Sequence, residues 1–170
     1  RILHLVLEKT NQAIRLAEDQ EGYYKTYFIH EVTEYERTDQ LLKKRPLHRL
    51  SVRPLKFKIH VLPIFLEGFV HALRLERNPE EAKKLYERVR KSPLYDRSLK
   101  MYKVNADLSL SSEEIGRTRI FPRGWLENES IWIHMEYKFL LELLRAGLYE
   151  EFYREMPNVL IPFLNPQRYG

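Results

Sequence analysis

Glu127, Ser130, His134 and Lys138 follow one another at spacings of three, four and four residues. On a helix that spacing lines all four along one face, because successive turns bring i, i+3 and i+4 together. Glu127 and His134 then stand two turns apart, roughly 10 Å along the axis. A carboxylate and an imidazole near a helix N-terminus can serve an anionic ligand, since the free backbone N–H groups there favour negative charge. Without further information a solvated stripe with a hydrogen-bonded histidine accounts for the same spacing equally simply.

Two other stretches carry reactive residue types. His30-Glu31-Val32-Thr33-Glu34 resembles a zinc-protease helix, but Glu34 stands where the second histidine belongs and the surroundings read as extended. The ligand geometry is therefore not made, and no metal is expected. Lys43, Lys44, Arg45, His48, Arg49, Arg53, Lys56 and Lys58 form a basic patch with leucines interleaved. Only Phe57 offers a stacking surface within it, which disfavours nucleic acid as a partner and favours a solvated loop. No two glycines lie close enough for a nucleotide-binding loop, and no Gly-x-Ser-x-Gly elbow occurs, so no cofactor is expected.

The elements that must position these residues follow from composition and periodicity. The chain has 170 residues, 44% apolar and 31% charged, enough for one domain with a core. It lacks cysteine, which excludes disulfides and thiolate sites and fits a reducing cytoplasm. No run of about 18 apolar residues is present, so no membrane span is expected. The net charge of +5 is local: residues 37–58 carry +7 and the remainder −2.

Six glycines in 170 residues argue for long helices with few tight turns. Leu3 to about Gln20 reads as an amphipathic helix, and Tyr23–Glu36, rich in aromatic and β-branched residues, as an extended segment. Residues 37–58, broken by Pro46 and Pro54, read as a basic surface loop. A helix near Pro63 precedes a second over Pro79–Lys91, announced by Asn78-Pro79-Glu80-Glu81. Glu127–Ala146 reads as a helix apolar on nearly every side, closed by Gly147, with a short helix over Leu148–Met156 after it. The expected fold class is all-α, with helical hairpins joined by irregular or short extended connections over residues 1–170.

The stretch holding the polar stripe also carries a resemblance. Ile115-Gly116-Arg117, Pro122 and Gly124-x-x-Glu127-Asn128, with His134 seven residues after the glutamate, resemble the cellobiose phosphorylase family of glycoside phosphorylases. Gly22-Tyr23-Tyr24 and Leu164-Asn165-Pro166-Gln167-Arg168-Tyr169 are similar to further motifs of that family, in the same order. The resemblance implies part of an (α/α)6 toroid whose inner helices face a central pocket. It also implies inverting phosphorolysis of a β-glucoside, with inorganic phosphate as the attacking group. Glu127 would then bind sugar hydroxyls, Asn128 would orient that glutamate or the sugar, and His134 would contact phosphate.

Glu129-Ser130 departs from the family's small residues and adds negative charge near the presumed phosphate. The family's general-acid aspartate and its Thr-Gly-Gly loop find no match in these residues. The expectation is a fragment of a larger catalytic domain, inactive by itself. Its partners would be an oligosaccharide, phosphate, and either the missing helices or another copy. The competing expectation is a non-catalytic helical binding module that uses residues 37–58, chiefly Lys43, Lys44, Arg45, Arg49 and Arg53, against nucleic acid or an acidic partner. A carbohydrate-binding relative that has lost phosphorolysis is the third.

Overall fold

The computed structural model describes residues 1–41 and 50–169. It has two units, residues 27–62 and the remainder (1–26 with 63–170).

Residues 27–62 form a hairpin of two long antiparallel strands, β1 (Phe28–Leu41) and β2 (Leu50–Val61). Phe28 pairs with Val61, His30 with Ile59 and Val32 with Phe57, so their side chains share one face. On the other face Glu31 opposes Lys58. Farther along, Glu34 contacts Lys56 at 2.9 Å and Glu36 contacts Arg53 at 3.1 Å. Opposite charges directly across a ladder stabilise the pairing modestly. Pro54 is accommodated because a two-stranded sheet leaves each strand one unpaired edge.

The remainder is mainly helical: α1 (Ile2–Ala17), α2 (Leu66–Leu75), α3 (Pro79–Lys91), α4 (Ile133–Arg145), α5 (Tyr149–Val159) and a final turn, α6 (Pro166–Tyr169). Two-residue strands β3 (Tyr95–Asp96) and β4 (Met101–Tyr102) pair between α3 and a 3-10 segment, Glu113–Ile120. The core is a single cluster. It takes Phe69 and Leu73 from α2, Leu85 and Val89 from α3, and Phe139 and Leu143 from α4, and closes over Leu94, Tyr102 and Val159. Phe139 sits at the aromatic centre, 4.7 Å from the Tyr102 ring and 6.5 Å from that of Tyr86. Glu142 of α4 ties that helix to α2, receiving two bonds from Arg74 while Arg145 covers it from its own helix.

Two expectations are corrected here. The fold is mixed rather than all-α, 49% helix and 21% strand with two small antiparallel sheets, so the all-α class and the (α/α)6 toroid do not hold. The basic segment 37–58 is strand at both ends rather than loop. In it Lys56, Lys58 and His60 alternate with Phe57, Ile59 and Val61, a period-two pattern that makes a two-faced strand once β1 supplies the partner. Leu3–Gln20 is helical to Ala17, and Pro79–Lys91 is a helix with the expected bounds. No helix among the described residues is long and apolar enough to cross a membrane.

Candidate functional site

The helix expected over Glu127–Ala146 begins only at Ile133. Glu127 and Ser130 therefore lie in the loop before it, and the four-residue stripe does not form on one helix face. His134 and Lys138 do share α4, both exposed.

That loop is tightly built. Pro122 O accepts from Trp125 N at 3.1 Å, Trp125 O from Asn128 N at 3.1 Å, and Asn128 O from Gly124 N at 2.8 Å. Phe121 and Trp125 meet edge to face, with centroids 5.3 Å apart. Asn128 is 3% exposed. Its Oδ1 accepts from Leu108 N at 3.1 Å, and its Nδ2 donates to Phe121 O at 2.8 Å. Asn128 thus holds the loop against the chain near Leu108, and Glu127 beside it is exposed. Leu126 and Glu129 both have positive φ, +47° and +54°. Side-chain-bearing residues adopt such backbone only where surrounding bonds compel it. Here Leu126 O accepts from the Ser130 hydroxyl and from Trp132 Nε1, while Glu129 N donates to Asn105 Oδ1 at 2.7 Å.

The charge on Glu129 is not left facing a ligand. Lys103, itself 5% exposed, donates to Glu129 Oε1, and Arg123 lies 3.4 Å from the same oxygen and 3.7 Å from Asp96. Neither cation is marked by spacing in the sequence. The extended chain at Lys103 carries it to Glu129 across 26 residues.

At the start of α4 the His134 ring lies 5.3 Å from that of Trp132, tilted by 35°. Trp132 is the helix N-cap and provides no side-chain cap. Met135 N donates to Trp132 O at 2.9 Å, which among the first-turn N–H groups leaves those of Ile133 and His134 open to an anion. Loop and helix start together expose a carboxylate (Glu127), an imidazole (His134) and the half-exposed Trp125 ring.

The other candidates fare differently. Lys43, Lys44, Arg45 and Arg49 lie outside the described residues. Arg53 and Lys56 are each paired with a cross-strand glutamate, which leaves the described part of the basic patch largely neutralised. In the His30–Glu34 stretch, His30 packs on the Phe57 ring and Glu31 contacts His60 at 2.7 Å. Among the described residues no group of three His, Cys, Asp or Glu could hold a metal ion.

Four glutamates were not anticipated as buried: Glu136, Glu142, Glu151 and Glu155, all between 0% and 3% exposed. Burial pushes the Glu136 carboxyl up to about 8, against the opposing pull of the Tyr102 N–H it accepts from, and neighbouring Glu155 adds to the rise. The Tyr86 hydroxyl, donating to Glu155, is raised to about 12 by burial and by that bond. The available signal was that Glu136 and Glu142 interrupt an otherwise apolar helix.

No protein-family model, no curated protein and no solved structure matches this chain.

Proposed function

We propose that this chain supplies sugar and phosphate contacts to a carbohydrate-active enzyme of the glycoside-phosphorylase kind. The observation that carries the reading is the loop Phe121–Trp132. Its backbone is locked by Asn128, Ser130 and the Glu129–Lys103 pair, and it leaves Glu127 and Trp125 exposed with His134 at the helix start. The same stretch carries the sequence resemblance. A carboxylate can accept sugar hydroxyls, an indole face can pack on a pyranose ring, and a histidine beside free helix N–H groups can take a phosphate oxygen. Asn128 acts by positioning Glu127. The counter-ions of Glu129 remove the repulsion that residue would otherwise exert on phosphate. An acid to protonate the leaving oxygen is assigned to no residue of this chain, so binding rather than turnover is its expected property. Lack of cysteine accords with a cytoplasmic setting.

The test uses a convenience of the sequence. Trp125 and Trp132 are the only two tryptophans, so intrinsic fluorescence reports this loop. Cellobiose should change the emission saturably, with millimolar affinity, about −4 kcal/mol. Glu127→Gln should weaken that response tenfold or more, whereas His134→Ala should weaken phosphate binding more than sugar binding. Emission that stays flat with cellobiose, or a Glu127→Gln response equal to the parent's, sinks the reading.

A further inference from the structure

Between α3 and α5 lies a pocket of about 240 Å³ lined by Tyr86, Glu87, Arg90, Lys91 and Arg154. Cations dominate its wall. Arg90 is fixed from two sides, its Nε 3.6 Å from the buried Glu155 carboxylate and its guanidinium 5.5 Å over the Tyr95 ring. Among the described residues Lys91 reaches only Glu87, at 4.0 Å. Arg154 has no carboxylate within ion-pair distance among the described residues, and its guanidinium sits beside the Tyr86 hydroxyl. With Glu155 engaged by Arg90 and by Tyr86, two cations remain at the opening against the single carboxylate of Glu87.

Complementing the carbonyl end of α3 explains Arg90 and Lys91 in part, because helix C-termini favour cations. It does not explain Arg154, which lies in the middle of α5 and away from either end. We propose that this pocket binds a phosphate group, as free inorganic phosphate or as a small phosphomonoester. Guanidinium forks match the oxygens of a tetrahedral oxyanion, and a lysine adds a mobile charge. The volume falls below the roughly 300–1,000 Å³ typical of pockets for drug-sized ligands. It admits the anion or a small phosphomonoester. The site shares no residue with the Glu127–His134 region and does not depend on the function proposed for that region.

The experiment is a phosphorus NMR titration of inorganic phosphate with the 170-residue chain in 150 mM chloride (a concentration of about the physiological ionic strength), repeated with methyl phosphate. Saturable binding of either is expected, and the tighter of the two identifies the source of the phosphate. Arg154→Gln and Lys91→Gln should each weaken it at least fivefold, and Arg154→Lys should restore part of the loss. Both positions are exposed, and far-UV circular dichroism verifies that each variant is folded. Run on the His134→Ala chain, which removes the phosphate contact proposed at α4, the titration should keep a saturable component that Arg154→Gln weakens. Affinity unchanged in Arg154→Gln, absence of saturable binding, or equal displacement by chloride overturns the proposal. Loss in His134→Ala with retention in Arg154→Gln also overturns it, and places phosphate at α4.

Discussion

Replacing Asn128 by alanine strips partners from two backbone groups at once, the N–H of Leu108 and the carbonyl of Phe121. An unsatisfied buried polar group costs about 1–3 kcal/mol; with water reaching the part-buried Phe121 carbonyl, Asn128→Ala should lose about 1–3 kcal/mol in urea unfolding. It should also loosen the loop around Glu127, seen as increased acrylamide quenching of Trp125 and Trp132. Glu136 makes a prediction of a different kind. Its carboxyl titrates near 8 when folded and near the ordinary glutamate value when unfolded, so the folded chain holds a proton that the unfolded chain has released. Stability from this group is complete below pH about 4.5 and is lost as the pH rises through 8. The urea midpoint should therefore fall between pH 5 and 9, by a few kcal/mol in free energy, and Glu136→Gln should flatten that slope. A midpoint in the glutamine variant that falls as steeply as the parent's contradicts the assignment. At residue level the sequence set Asn128 beside a ligand only through the resemblance of its neighbours, and marked Glu136 only as a break in an apolar helix.

Helix α3 was legible from end to end because its start is encoded locally. Asn78 Oδ1 accepts from Glu80 N at 2.9 Å, Pro79 occupies the first turn, and Glu80 and Glu81 follow near the positive end. Asn78→Ala should cost about 1 kcal/mol and raise amide exchange in the first turn of α3. The start of α4 was misplaced by six residues for the opposite reason. Side chains of Asn128, Ser130 and Trp132 bond to backbone carbonyls of the loop, and Glu129 takes a positive φ, so no helical turn can form there. Gly68 in α2 shows a further dependence on packing. A β-carbon there would stand 2.7 Å from Thr26 Oγ1 and 3.0 Å from the Tyr24 carbonyl. Although alanine is the better helix former, Gly68→Val should destabilise by about 1–3 kcal/mol in thermal or urea unfolding, since the backbone carbonyl cannot rotate away.

At the scale of the molecule the buried cluster is made, among the described residues, by the unit 1–26 with 63–170. Tyr27 O accepts from Leu62 N at 3.1 Å, so the hairpin's two ends lie side by side. Replacing residues 28–61 with a short Gly-Ser linker should therefore leave a chain that unfolds cooperatively and keeps its near-UV circular dichroism. A broad, non-cooperative melt of that deletion contradicts the division. Isolated two-stranded ribbons are marginal in water, and this one keeps Val32, Phe57 and Ile59 about half exposed on its apolar face.

The sequence by itself determined what rests on neighbours within a turn or two. It marked the amphipathic helix at the N-terminus, the capped α3 and the glycine stop after α4. The tertiary structure alone decided what depends on partners far along the chain. The alternating basic strand became β2 because β1 supplied glutamates 17 to 29 residues away. Glu129 became neutral to its surroundings because Lys103 and Arg123 reached it. Glu136 came to hold its proton because the core closed over it. Period, capping and charge are local properties of a chain; burial and counter-ions are set by where the rest of it folds.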